Sequence, residues 1–544
     1  EQHPLAGGQR RRAVPKFDWK GYFPYPEVRP GQEKAINTII DSFESGKKYF
    51  ILEAGTGVGK SAVASTVATY VEKHILPKDA ISIGSNILTT QKLLQEQYQK
   101  DFPQINSLKS SSNYTCTFHK KQNCNESRKM LQTTDRSTPF FKRCAFKCVY
   151  KQAKEKYIND PHGVTNFSYF LTETRYSGKL PKKTLLVIDE AHNAPEALSK
   201  FIEVTFSDRF AKSFVGITLP ETITSGMFVR WVKNEYYPKL ASKVKEFNRG
   251  LEKYASVKSR MQGGEFSKLS RQIEILTGHE QKVLTFISLY DKENWVMTEV
   301  PAEDRSSRKV EFKPIDVAPY AEDYLYRMGQ FVILMSATIV DIDKFAKISG
   351  IESYDSLSIP CPFPLKNRPI IYSGKMSANE IQSSLPKLTQ AVKAILDGHK
   401  DEKGIIHCHS YKIAWHLKKS IRSSRLLIHD TTNRDEVLGK HIRSKEPTVI
   451  LSPSMTEGVD LKEDLSRFQI ICKIPFPYLG DKLVRKKMNK WRWWYDLQTA
   501  KTVIQSVGRS VRSETDTAVT YILDSSWERF YSKNRLLFGE EFES

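Results

Sequence analysis

Ala54-Gly55-Thr56-Gly57-Val58-Gly59-Lys60-Ser61 decides how this chain is read. The octapeptide follows the apolar run Tyr49-Phe50-Ile51-Leu52 and opens into a segment with Val63, Val67 and Val71 at i, i+4 spacing. That is the order strand, loop, helix. The pattern is close to G-x-x-x-x-G-K-S/T, with Ala54 in the first position. Glycines let backbone amides curl around phosphate oxygens, Lys60 brings a charge to the β- and γ-phosphates, and Ser61 offers a hydroxyl to magnesium. All eight residues from Ala54 to Ser61 are therefore expected nucleotide contacts. A plain strand-to-helix turn with a surface lysine is the alternative, and the flanking elements favour the nucleotide.

Outward from this loop the periodicity continues. Upstream, Ala35, Ile36, Ile39, Ile40 and Phe43 share one side of a predicted helix over 32–43. Downstream, short apolar runs at 80–83, 184–188 and 331–335 read as central strands of a parallel sheet. A second series at 404–408, 425–428, 448–451, 468–472 and 518–523 is separated by stretches long enough for crossover helices. The fold class is α/β with two doubly wound parallel sheets, and 544 residues are enough for several compact units.

Two further motifs bear on the loop. Asp189-Glu190-Ala191-His192 follows the strand 184–188, at the carboxyl end where open α/β sheets place ligands. Asp189 can bind magnesium directly or through water, and Glu190 can orient and deprotonate a water. An acidic pair after a strand is by itself more often a solvated edge or helix cap. Gln505-Ser506-Val507-Gly508-Arg509-Ser510-Val511-Arg512 lies in the second series, and Arg509 and Arg512 at helical spacing could both reach a γ-phosphate across a cleft. Taken alone, this stretch reads as a surface helix.

Residues 107–155 break the rhythm. They are rich in Lys and Ser and hold Cys116, Cys124, Cys144 and Cys148, four of the seven cysteines. The four fall within residues 116–148, a span in which uniform placement would leave about 0.4. Thiolates suit zinc or an iron–sulfur cluster, and the spacing C-x7-C-x19-C-x3-C lacks paired C-x2-C knuckles, which favours iron–sulfur. A net charge of +22 points to a polyanionic partner, with a merely basic, solvated surface as the even alternative. No run of about 18 apolar residues suggests a membrane span, the cluster Arg10 to Arg12 has no apolar segment after it, and an intracellular setting is expected: cytoplasm or nucleoid, or nucleus in a eukaryote.

With these motifs in order, the chain resembles the XPD/DinG group of iron–sulfur superfamily 2 DNA helicases along nearly its whole length. Arg29-Pro30-Gly31-Gln32 resembles the adenine-reading motif, with Tyr22, Phe23 and Tyr25 as stacking candidates. Thr89-Thr90-Gln91 resembles the strand-contacting motif, and Thr165-Asn166-Phe167-Ser168-Tyr169 the stretch ahead of the DEAH box at 189–192. Ser336-Ala337-Thr338 resembles the motif linking hydrolysis to movement, and Ser454 to Asp460 the one touching nucleotide and DNA. The resemblance implies ATP and Mg2+ as cofactors, Gln32 and Asp460 as nucleotide contacts, Ser61 and Asp189 as magnesium ligands, and Lys60, Asp189, Glu190, Gln505, Arg509 and Arg512 as the catalytic set. It also implies a 4Fe-4S cluster on the four cysteines. Ser112 to Cys116 resembles the lead-in to the first cluster cysteine and Cys148-Val149-Tyr150 the last, with Val149 where the family usually has proline. Cys124 and Cys144 rest on counting alone.

The expected architecture is two RecA-like motor domains with an iron–sulfur insertion and a mainly helical arch. Motor 1 spans 1–106, 156–206 and 316–345, the cluster domain 107–155, the arch 207–315 and motor 2 346–544. The activity implied is ATP-driven translocation on single-stranded DNA, 5′ to 3′ by resemblance only, with unwinding of forked duplex by a monomeric motor. Protein partners could dock on the arch. The alternatives are an ATPase that remodels protein–DNA or RNA–DNA complexes without processive unwinding, and a nucleotide-gated DNA-binding scaffold, which has no need of Glu190. Residues 485–495 interleave Arg485, Lys486, Lys487, Lys490 and Arg492 with Trp491, Trp493, Trp494 and Tyr495, a composition suited to a single strand. At least two of these tryptophans are expected in the core. A second basic candidate surface surrounds the cysteines at Lys120, Lys121, Arg128, Lys129, Lys142, Arg143 and Lys147, where a solvated face is equally consistent. His407 and His409 flank Cys408 on a strand and read as ordinary strand residues.

Overall fold

The computed structural model describes residues 15–543 except 91, 222–223, 257–262, 304–305, 378–379, 431, 454–460, 462, 509 and 512, and leaves out the side chains of 92–93, 132–133, 252–256 and 263–267. The chain divides into two compact units. One holds Glu1–Leu52, Lys60–Met335 and Ala346–Leu357; the other holds Glu53–Gly59, Ser336–Phe345 and Ser358–Ser544.

Strands β1 (Tyr49–Ala54), β2 (Ser82–Thr89), β3 (Asn106–Leu108), β4 (His162–Asn166) and β5 (Lys183–Asp189) come first along the chain. Next are β6 (Val204–Ser207), β7 (Trp295–Val300), β8 (Lys309–Pro314), β9 (Gly329–Ser336) and β10 (Tyr354–Ile359). A seven-stranded sheet has the order β10-β1-β9-β5-β2-β4-β3. Its pairs β5–β9, β2–β5, β2–β4 and β3–β4 are parallel. Phe50, Ile51 and Leu52 of β1 are fully buried, as are Leu185, Leu186 and Val187 of β5. Such unbroken apolar runs are what a sheet covered by helices on both faces selects.

Two long connections join strands that are neighbours in this sheet. Asn106 of β3 pairs with Gly163 of β4, and the intervening chain is the cysteine-bearing segment. Leu186 of β5 pairs with Val332 of β9, and between them lies a largely helical region with its own three-stranded sheet, β6-β8-β7, wholly antiparallel. Val310 and Phe312 alternate inward on β8. Phe312 meets Phe206, Phe228 and Phe286 in an aromatic core. The two regions are stitched together where Arg271 donates to Glu126 Oε1 at 3.1 Å and Lys129 to the Ser270 carbonyl at 2.8 Å.

The second sheet uses β11 (Ile370–Met376), β12 (Gly404–His407), β13 (Leu426–Ile428), β14 (Val449–Ser452), β15 (Phe468–Ile471) and β16 (Val519–Asp524). Its order is β11-β16-β15-β12-β14-β13, and every pair is parallel. Adjacent residues of β15 face opposite helical layers: Ile470 packs with Leu388, Val392 and Leu417, whereas Ile471 packs with Ala500, Val503 and Trp527. Alternation along a strand buried on both faces produces this division.

One strand is displaced from its sequence expectation. The run 80–83 predicts a strand there, but β2 begins at Ser82 and carries Ser85, Asn86 and Thr89 into the core. Ala80 has φ 61 and Ile83 is half exposed. The buried polar groups are satisfied by side chains far along the chain: Ser85 Oγ lies 2.9 Å from His162 Nδ1, and Asn86 Oδ1 accepts the Tyr157 hydroxyl at 2.9 Å. Hydropathy cannot register such pairings.

Candidate nucleotide site and cysteine cavity

The phosphate-loop sequence leaves β1 at Ala54 and enters the helix Lys60–His74. Gly57 and Gly59 have φ 89 and 86, in the left-handed region that glycine enters without strain. Gly57 is constrained twice, because a Cβ there would lie 2.1 Å from the Phe363 ring. At the loop's start the Gly55 amide donates to the Ile359 carbonyl at 2.9 Å.

Around Lys60 and Ser61 the first unit gathers Asp189, Glu190 and a residue the sequence reading missed, Tyr98 on the helix Lys92–Asp101. Tyr98 is buried, donates to Asp189 Oδ2 at 2.9 Å and is also hydrogen-bonded to Ser61. Burial drives the Asp189 carboxyl above the usual range, while Lys60, the Tyr98 hydroxyl and the Glu190 amide pull it back down. Burial beside Asp189 raises the Tyr98 phenol well above its usual value, so it stays a donor. Glu190 has φ 52, a left-handed backbone that costs a non-glycine residue about 1–3 kcal/mol. That turn sets its carboxylate 3.4 Å from His192 Nδ1. Two carboxylate oxygens carry about four acceptor sites, so the bonds to Asp189 leave capacity for a metal or a metal-bound water. Tyr98 had a sequence signal: Leu94, Tyr98 and Phe102 follow the 3.6-residue period.

Other expected site residues fall as follows. Register places Thr89 beside Asn166, at the same ends of parallel strands as Asp189. Asn166 caps the next helix by accepting the Tyr169 amide at 2.8 Å. Gln32 is buried, and its Oε1 accepts the Arg29 amide at 3.1 Å, closing the first turn of the helix Pro30–Glu44. In the second unit Gln505 Nε2 donates to the Thr338 hydroxyl at 3.2 Å. Arg10 to Arg12, Gln91, Ser454 to Asp460, Arg509 and Arg512 lie outside the described residues.

Cys116, Cys124, Cys144 and Cys148 are all buried, all unbonded as disulfides, and line one cavity with Thr117, Phe118, Ser127, Arg143 and Val149. Backbone amides of His119 and Lys151 donate to the sulfurs of Cys116 and Cys148, each at 3.3 Å. Burial raises the Cys124 thiol. A hydrogen bond between Cys144 and Cys148 holds Cys148 down to about 6 and pushes Cys144 up. Among the described residues no three His, Cys, Asp or Glu side chains are gathered as closely as a metal ion requires. The donor chemistry nevertheless fits a thiolate-bound group: four sulfurs face one space, and two already accept amide hydrogens.

Of the three tryptophans at 491–494, only Trp491 is in the core; Trp493 and Trp494 are half buried, contrary to the expectation that at least two would be buried. Lysine ammonium groups cover all three rings: Lys490 on Trp491, Lys344 on Trp493 and Lys487 on Trp494, at 5.2, 5.7 and 5.5 Å from the centroids. Among the described residues, no helix is long and apolar enough to cross a membrane.

Two family models match the chain: the helicase C-terminal domain over residues 395–537, and the type III restriction enzyme res subunit over 25–218. The chain is 20% identical to the ATP-dependent DNA helicase YoaA of Escherichia coli, over 95% of this chain and 93% of that protein. It is 25% identical to the ATP-dependent DNA helicase DinG of Photobacterium profundum, over 40% of this chain and 34% of that one. Its fold is similar to a solved XPD helicase, with a TM-score of 0.62 at 16% identity, covering 94% of this chain and 99% of that one. Xpd4 of S. tokodaii gives 0.55 at 15% identity, covering 94% and 99%. Parallel-sheet architecture, both domain matches and these relatives together make the chain similar to the XPD/DinG-like superfamily 2 helicases.

Proposed function

We propose that this protein is an ATP-dependent DNA helicase that couples hydrolysis to 5′-to-3′ translocation on single-stranded DNA and to opening of forked duplex. The observation that carries this reading is the grouping of Lys60, Ser61, Tyr98 and Asp189 at the end of a phosphate loop. Lys60 is assigned to the β- and γ-phosphates, with Ala54 to Ser61 as the cradle and Gln32 reading adenine. Ser61 and Asp189 would hold Mg2+, which would supply positive charge to offset that developing on a transferred phosphoryl group. Glu190 orients the attacking water and takes its proton. Asp460 is assigned to the nucleotide, and Gln505, Arg509 and Arg512 to the γ-phosphate.

Cys116, Cys124, Cys144 and Cys148 would hold a 4Fe-4S cluster, which would serve as a rigid scaffold; the cavity they share supports this reading. In this proposal the cluster domain spans 107–155, the arch 207–315, motor 1 the segments 1–106, 156–206 and 316–345, and motor 2 residues 346–544. The arch is the surface offered to protein partners, and the motor acts as a monomer inside the cell.

Forked DNA with either a free 5′ or a free 3′ tail tests the proposal. Unwinding is expected with ATP and the 5′ tail, and not when ATP is withheld. Failure on both forks, with ATP turnover intact, would support a remodelling ATPase instead.

A further inference from the structure

Glu53 is the residue of β1 that precedes Ala54, at the stem of the phosphate loop. Its carboxylate ties together two other segments of the same compact unit. Oε2 accepts the backbone amide of Val340 at 2.5 Å, and Oε1 accepts the Ser358 hydroxyl at 3.0 Å. Val340 has φ 73, a backbone state that β-branched residues rarely enter. The Asp341 amide donates to the Ile339 carbonyl at 2.9 Å, closing a three-residue turn with Val340 at its apex. Asp341 then caps the helix Ile342–Ile348, accepting the Lys344 amide at 3.0 Å.

Two residues before the apex, Thr338 accepts a hydrogen bond from Gln505, and its own amide is fixed by Ser336 Oγ at 3.1 Å. One carboxylate at the loop's stem therefore anchors the turn that presents Thr338 to Gln505. A strained apex needs an anchor, because a valine released from it would relax to negative φ and carry the preceding residues with it.

We propose that Glu53 is a positioning residue that transmits the state of the phosphate loop to Gln505 through the Val340 turn and Thr338. This rests on the motor reading above. A carboxylate suits the task because each oxygen serves one donor. Glutamine keeps one acceptor oxygen for the Val340 amide and must reverse the bond to Ser358, its Nε2 donating to that hydroxyl, so E53Q weakens the anchor without removing it.

The variants E53A, E53Q, V340G and E53A/V340G, compared with wild type in the full chain, test the inference by two readouts. In DNA-stimulated ATP turnover and fork opening, E53A is expected to lower strands opened per ATP roughly tenfold, with KM for ATP changed less than about twofold. E53Q should be intermediate. V340G should match wild type, because it keeps both the turn and the amide that Glu53 accepts, whereas E53A/V340G should stay as low as E53A, because glycine holds positive φ but supplies no link to the loop. Independently of activity, amide hydrogen exchange of residues 338–342 should slow on addition of a non-hydrolysable ATP analogue in wild type and V340G, and not in E53A. Wild-type coupling in E53A, or an exchange response unchanged by E53A and E53Q, overturns the inference. If wild type fails to open forks, the motor reading falls, and the exchange comparison still decides the role of Glu53.

Discussion

The hydroxyl of Tyr98 donates to Asp189 Oδ2 at 2.9 Å, both groups being buried at the end of the phosphate-loop helix. It lowers the carboxyl that burial raises. In Tyr98→Phe the carboxyl should rise further, so the acid limb of the pH–rate profile for ATP turnover should move to higher pH. A hydrogen bond to a charged group is worth about 1.5–3 kcal/mol, which sets the loss at roughly ten- to a hundredfold below the limb. Superimposable profiles for variant and wild type would remove Tyr98 from the mechanism.

Lys60→Ala should abolish ATP turnover, since no other described cation acts on Asp189 from the phosphate-loop helix. Steady-state hydrolysis checks this. Normal turnover would refute the motor assignment.

Cys144→Ser should spare much of the ATPase while losing strand separation. The two activities need to be measured on one preparation. A visible absorption spectrum of the wild type provides the second check: a thiolate-to-iron band is expected, and zinc by elemental analysis without that band would overturn the cluster assignment.

His279 should make the helical region between β5 and β9 acid-labile. Burial, and then the neighbouring Lys282, lower its imidazole from 6.5 to about 4, and Tyr236 Oη sits 2.9 Å from Nε2. Between pH 6.5 and 4 the unfolded chain binds the proton that the folded chain refuses, so stability present at neutral pH is lost as pH falls through that window. The ring keeps some exposed surface, which reduces the effect to on the order of 1–2 kcal/mol. His279→Gln should flatten the dependence of Tm on pH over this range; an unchanged slope would show that another group is responsible.

Much of this was legible before any coordinates. Unbroken apolar runs such as Phe50 to Leu52 and Leu185 to Ile188 report strands covered on both faces, and the second sheet has strands at or within a residue or two of each of its five expected runs. The loop at 54–61 was readable because its glycines are demanded by local backbone geometry. Glu53 and the polar stretch of β2 were not, and Tyr98 showed its helical period but not its role, because their meaning lies in partners far along the chain. The tryptophans at 493 and 494 misled for a related reason: lysines shield their faces, so large aromatic rings stay half exposed without a purely apolar neighbour.

Adjacent parallel strands must be joined by a detour across one face of the sheet, and at β3–β4 and β5–β9 this chain has let the detours grow into whole regions. Each leaves and re-enters at neighbouring positions, so the strand order does not depend on the length of the excursion, although residues near its end, such as Tyr157 bonded to Asn86, still serve the sheet. Their contents can therefore be built around their own cores, the aromatic cluster of Phe206, Phe228, Phe286 and Phe312 in one and the buried cysteines in the other, without altering which strands lie side by side.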